Sequence, residues 1–241
     1  MGKLIINADD FGYSPGINAG IVSAHKNGVV SSTTIMANMP GFDDGVRLLN
    51  ETKTLVCGVH LTLSCYKPLL TTHKTLVDKN GYFFKRLKPE VVESFDLEEL
   101  YNEWCAQIDK AQKEIYISHI DSHHFAHTRE RFRPVVKKIA EKYNLPMRHK
   151  LDGIESVPTL DFTNKFYEDS VSVEWFEGVI EEIKEKGIVD MMTHPGFLDS
   201  FVCSSTSYQQ GRLKEYDILT DNRVKEILDR NNIEVINYRQ L

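Results

Sequence analysis

Short apolar runs and amphipathic stretches alternate along the chain from end to end. Residues 4–7 form an apolar run suited to a buried strand. Ser14-Pro15-Gly16 then opens a helix, with Ser14 as N-cap and Pro15 at the first helical position, and Asn27-Gly28 supplies its stop signal. The β-branched stretch 31–36 reads as a second strand, 43–50 as a helix, and 54–63 contains a third strand. Helices are expected over 97–113, 129–143 and 173–186, the last two closed by Asn144 and Gly187. Strands are expected over 116–120, 146–149, 188–193 and 233–236, and helical material over 208–230. Residues 64–94 break the pattern: Pro, Gly and aromatic residues interrupt any helical period. The segment reads as a long loop insertion, with a small hairpin at Asn80-Gly81.

Strand–helix alternation of this kind predicts an α/β fold with a mostly parallel sheet. About seven such units in one chain of 241 residues suit a single domain built as a closed or nearly closed (β/α) barrel. A doubly wound open sheet is the alternative, but no GxGxxG follows the first strand.

Composition narrows the function classes. The chain is 41% hydrophobic and 27% charged, ordinary for a globular protein. Its net charge is -6 with the basic residues scattered, which argues against a nucleic-acid partner. No apolar run is long enough to span a bilayer, and the N-terminal run is too short for a signal peptide, so a cytoplasmic protein without membrane association is expected. Cys57, Cys65, Cys105 and Cys203 show no CxxC spacing and read as free thiols.

The polar clusters fall at one kind of place. Asp9-Asp10 follows the first strand, His60 lies near the end of the third, and Asp121-Ser122-His123-His124 follows the fourth. Arg148-His149 ends the fifth, and Thr193-His194 ends a late one. Each has a bland reading alone: a solvated turn for the paired acids, a satisfied core residue for His60, an exposed turn for His194 before Pro195-Gly196. In an α/β barrel, however, C-terminal strand ends converge on the face where active sites sit. One carboxylate and two imidazoles can hold a catalytic divalent ion and leave positions open for water and substrate. A spare acid and a spare histidine would then serve proton transfer. On the residues alone, a metal hydrolase, a sugar isomerase, a phosphoesterase and a non-catalytic sugar-binding protein all remain open.

Four ordered motifs distinguish among them: Asn7-Ala8-Asp9-Asp10-Phe11-Gly12, Gly58-Val59-His60-Leu61-Thr62, His119-Ile120-Asp121-Ser122-His123-His124 and Thr193-His194-Pro195-Gly196. Together they resemble the YdjC-like carbohydrate deacetylases over essentially the whole chain. The resemblance implies a distorted TIM-like barrel, a homodimer, and removal of acetyl groups from N-acetylated sugars such as chitooligosaccharides. It implies a divalent cofactor, Mg2+ or alternatively Zn2+. By position it makes Asp10, His60 and His123 the metal ligands, Asp9 the catalytic base and His194 the proton donor to the leaving amine. It also gives Arg148 a place suited to binding substrate, and puts Arg212-Leu213-Lys214-Glu215-Tyr216 near the site. The family often has His-His-His-Val-His where this chain has His123-His124-Phe125-Ala126-His127, a change at the expected substrate rim.

Overall fold

The computed structural model describes residues 2–241. Among them, eight strands form one parallel sheet: β1 (Gly2–Phe11), β2 (Ser32–Ile35), β3 (Val56–Leu61), β4 (Ile120–Ser122), β5 (Met147–Arg148), β6 (Thr159–Thr163), β7 (Ile188–Thr193) and β8 (Ile233–Ile236). Neighbours run β2-β3-β4-β5-β6-β7-β1, and β1 returns to β2, so seven strands close a barrel. The closure divides one edge of β1. Its first residues pair with β8 and its last with β2. The eighth strand thus occupies the base of the seam while the ring closes above it.

Alternation along each strand sorts side chains by face. On β1, Leu4, Ile6 and Ala8 join the large apolar layer beneath the helices, whereas Ile5 belongs to a small cluster with Val56, Leu160, Ile236 and Tyr238. That small cluster plugs the base of the barrel. Above it the same face carries Asn7 and Asp9, and the register pairs Ile5 with Asp190 and His60 with Asp121. The interior therefore passes from apolar to ionised toward the C-terminal strand ends. Gly58 makes the narrow point passable. A Cβ there would lie 2.6 Å from the ring of His119.

Helix α1 (Pro15–Asn27) begins where expected, with the Ser14 hydroxyl accepting from Ile17 N. It presses so closely on the turn after β7 that a Cβ on Gly20 would meet the Gly196 backbone at 2.5 Å. Helices α2 (Phe42–Glu51), α3 (Pro89–Glu93), α4 (Leu97–Glu114), α5 (Arg133–Tyr143), α6 (Val173–Lys186), α7 (Ser200–Ser205), α8 (Gln210–Leu219) and α9 (Asn222–Arg230) complete the order.

Several elements differ from the sequence reading. Strand β1 runs to Phe11 and so contains Asp9 and Asp10 rather than ending before them, and neither α3, inside the segment read as a loop, nor α7 was anticipated. Strand β4 lies at Ile120–Ser122 rather than 116–120; Tyr116 is 65% exposed, and the extended approach after it pairs irregularly with β3. Helix α5 starts at Arg133, after a separate 3-10 turn at Glu130–Phe132. Strand β6 was not anticipated, because it is only partly buried and lacks an apolar run. In the segment 64–94, an isolated antiparallel bridge joins Val77 and Phe83 across the Asn80-Gly81 turn, where Gly81 has φ +75°.

Candidate metal centre at the barrel mouth

Asp9 and Asp10 are consecutive, and a regular strand would send them to opposite faces. The β1–β2 register slips between Ala8 and Phe11, and Asp10 takes φ 69°, a left-handed conformation that Asp tolerates better than most residues. Both carboxylates are consequently buried in the same network. A ring nitrogen of His60, a ring nitrogen of His123 and a carboxylate oxygen of Asp10 all lie within 4.8 Å of one another. His60 Nε2 is 3.5 Å and His123 Nδ1 3.1 Å from Asp10 Oδ1. Asp9, His60 and Asp121 form a second, fully buried grouping of the same kind.

The donor set suits a divalent ion, and the tautomer of His60 supports the fit. Its Nδ1 donates to Asp121 Oδ1 at 2.6 Å, since an ionised carboxylate can only accept. That leaves Nε2 facing Asp10, where it would give its lone pair to an ion that displaces its proton, the carboxylate–histidine–metal arrangement in which an outer carboxylate fixes ring orientation. Thr34 Oγ1 donates to the other Asp121 oxygen at 3.0 Å. Burial would raise the Asp121 and Asp10 pKa values, but His60 and Arg148 beside Asp121, and Arg212 and His123 beside Asp10, outweigh it and hold both carboxyls low. For His60, burial pulls the pKa down, while Asp121, Asp9 and Asp10 raise it to about 9. This is the mark of a histidine surrounded by negative charge that a cation would relieve.

Arg148 stands differently from the expectation that it binds substrate. It is completely buried, and every nitrogen of its guanidinium is committed to a carboxylate. Nη1 and Nη2 grip Asp9 at 2.7 and 2.8 Å, Nη1 also lies 3.0 Å from Asp121, and Nε donates to Asp190 at 2.8 Å. Its short strand lies between β4 and β6, and the side chain reaches across the interior to acids on β1, β4 and β7. With Asn7 Nδ2 also donating to Asp9 Oδ1 at 2.8 Å, Asp9 keeps a free lone pair on Oδ2. Asp190 accepts from Tyr238 at 2.6 Å, yet burial dominates and lifts its pKa to about 6.

His194 follows β7, and its backbone N–H donates to Glu215 on α8. Its Nδ1 lies 3.7 Å from Glu215 Oε1, an ion-pair separation. Burial would lower the His194 pKa, but the Glu215 carboxylate, with Asp10 and Asp9, raises it. The structure adds residues to which the sequence reading gave no roles. Arg212 donates to Asp10 Oδ2 at 2.6 Å, on the side away from the histidines, and Glu215 also accepts from Tyr208 at 2.6 Å. Asp190 left a detectable trace, a lone acid within the apolar run of β7.

A parallel barrel with a buried Asp/His cluster at its C-terminal strand ends defines the chain as an α/β-barrel protein with a potential metal centre. Comparison with known proteins then places it. The model of the YdjC-like protein family matches residues 3–230. The carbohydrate deacetylase of Brevibacillus brevis is 37% identical, with 99% of each chain covered. Carbohydrate deacetylase 1 of Listeria innocua is 39% identical, covering 99% of this chain and all of its own. The crystal structure of an Enterococcus faecalis V583 protein, described as a proposed cellobiose-phosphate cleavage protein, superposes with a TM-score of 0.92 at 37% identity, over 99% of this chain and 98% of that one. A family 4 carbohydrate esterase from Streptomyces lividans, solved with acetate, shares the fold at TM-score 0.53 and 11% identity, over 97% and 91% of the two chains. The chain belongs to the YdjC-like family, and with full-length relatives of this identity named carbohydrate deacetylase its enzyme class is that of a deacetylase, a hydrolase.

Proposed function

We propose that this protein is a metal-dependent deacetylase of N-acetylated sugars such as chitooligosaccharides, with Asp10, His60 and His123 holding a divalent ion, Mg2+ or Zn2+. The observation that carries the reading is the convergence of those three ligand atoms within 4.8 Å, with His60 oriented from behind by Asp121. A divalent ion at this place supplies Lewis acidity toward a carbonyl and lowers the pKa of water.

The chain's own groups divide the proton traffic. Asp9 accepts the proton of the attacking water on the lone pair that Arg148 and Asn7 leave free, and the bidentate grip of Arg148 fixes the direction in which that lone pair faces. His194, whose pKa Glu215, Asp10 and Asp9 raise against burial, donates a proton to the departing amine nitrogen. The acyl–nitrogen bond breaks as that proton arrives, and acetate and the free amino sugar result. The two groups sit on neighbouring strands, β1 and β7, so base and acid approach the acetamide from adjacent positions on the mouth.

The test is acetate release from diacetylchitobiose and a small panel of N-acetylated sugars, with Mg2+ or Zn2+ supplied. Metal-dependent acetate release is expected. No release from any sugar with either ion would refute the reading.

A further inference from the structure

Tyr66 stands two residues beyond the point where the segment 64–94 touches the site. Ser64 Oγ lies 2.9 Å from His124 Nδ1, and the His124 ring lies tilted against that of His123, with centroids 3.9 Å apart. Tyr66 has φ 64°, a left-handed conformation that large side chains rarely adopt. It is held there from both sides. The buried amide of Asn38 donates to the carbonyls of Cys65 and Lys67, each at 2.9 Å, and is itself fixed by Thr62 Oγ1 at 2.8 Å. The Tyr66 carbonyl accepts from Phe83 N at 2.9 Å, which brings the two arms of the segment together. A strained aromatic residue that its surroundings over-determine calls for a function.

The conformation delivers an open ring. Tyr66 and Tyr82 are each 39% exposed and meet edge to face at 6.1 Å, whereas their neighbour Phe83 is buried. Lys67 Nζ sits 4.8 Å over the Tyr82 ring, adding a hydrogen-bond donor to an aromatic surface. The pair continues inward through Phe201, 6.4 Å from Tyr66, to Tyr13 at 5.5 Å. Tyr13 packs beneath Arg212, whose guanidinium holds the metal-ligand candidate Asp10. Tyr167 closes the other end of this belt: it is stacked on Tyr208 at 4.4 Å and lies 5.8 Å from His194. A sugar whose amine nitrogen reaches His194 therefore lies against Tyr167, leaving the Tyr66–Tyr82 surface for something beyond it.

We infer that Tyr66 and Tyr82 form a stacking subsite for a second sugar unit, separate from the position of the acetamide-bearing unit, with Lys67 donating to its hydroxyls. The occupant is identified by its chemistry: a pyranose ring presents C–H groups to an aromatic face and hydroxyls to a donor at its rim. This inference rests on the deacetylase reading above for the identity of the sugar, and on the strain and exposure at Tyr66 for the place.

The test uses Asp9→Asn protein loaded with metal, which lacks the proposed base but keeps the platform. Diacetylchitobiose and N-acetylglucosamine are titrated into it by calorimetry, with and without Tyr66→Asn combined with Tyr82→Ala. Asparagine suits the left-handed backbone and removes the ring without relieving the bracket. The double change is expected to weaken the disaccharide about tenfold and the monosaccharide less than about twofold. Equal losses for the two sugars, a disaccharide affinity within about twofold of the parent, or no saturable binding of the disaccharide to the parent would each overturn the subsite. Acetate release by the wild type is measured in parallel. Its absence counts against the deacetylase reading, while a selective loss of disaccharide affinity would still support the subsite.

Discussion

Asp9 and Asp10 share a peptide bond and face different partners. The left-handed turn at Asp10 points that carboxylate at His60 and His123, while Arg148 captures Asp9. If Asp9 is the base, Asp9→Asn should lower kcat by about 10²- to 10⁴-fold and leave one bound metal per chain by elemental analysis. Unaltered kcat would remove Asp9 from the mechanism. Arg148 compensates three buried carboxylates, so Arg148→Met should cost about 3–5 kcal/mol or prevent folding, measurable by urea denaturation. A loss below about 1 kcal/mol would show that the acids can be satisfied without it. The convergence of Asp10, His60 and His123 was legible because acids and histidines recur at successive C-terminal strand ends, which a barrel brings to one face. The engagement of Arg148 was not legible. Which acid an arginine meets depends on pairings between residues 139 and 42 positions apart, and nothing local encodes them.

Among the elements, the segment 64–94 has little regular structure and is held to α4 by two carboxylates. Glu103 accepts from the backbone N–H groups of Leu69 and Leu70 at 2.9 and 3.0 Å, and Glu99 from those of Lys74 and Thr75, both at 2.9 Å. Glu103 is buried, and removing it leaves the half-buried N–H groups of Leu69 and Leu70 without this acceptor. Glu103→Ala should destabilise the protein by about 1–3 kcal/mol and speed amide exchange at Leu69 and Leu70 above that of α4. Unchanged exchange there would mean that other contacts hold the segment. The well-capped and strongly apolar elements, α6, β7 and β8, were legible to the residue, because Gly187 and the flanking polar residues mark their ends in the sequence itself. The clamp was not, since an acid on a helix looks like ordinary surface until the chain it captures is folded against it. Strand β6 escaped for a similar reason: its place is set by pairing with β5 and β7 rather than by its own alternation.

Across the whole molecule, strand–helix alternation made the barrel class readable, but the division of the β1 edge between β8 and β2 depends on how far each strand extends, a property of the assembled sheet. The polar interior has a cost at low pH. Burial, the largest cause in each case, holds the pKa of His119 near about 3, His127 near about 4 and His149 near about 3, against 6.5 ordinarily. Between pH 6.5 and about 4 the unfolded chain therefore binds more protons at these sites, and stability falls as pH falls, each group contributing about 1.4 kcal/mol per pH unit at full difference. His124, lowered to about 4 first by the His123 charge and then by burial, acts in the same sense. Asp190, raised to about 6, opposes them, and His60 and His194, raised above 6.5, oppose them only where the unfolded histidine is still neutral, so the net slope is positive below about pH 6.5. Urea midpoints of metal-free protein should decline from about pH 6.5 to pH 5; a constant or rising midpoint would show these histidines to be solvated. The proposed role of an ion on Asp10, His60 and His123 can be tested by titrating Zn2+ or Mg2+ into chelator-stripped protein while following acetate release from diacetylchitobiose. No activity is expected at the start, then a rise that saturates at one ion per chain, with both binding and activity lost in His60→Ala. Full activity in the stripped protein, or an active His60→Ala that still binds the ion, would rule that role out.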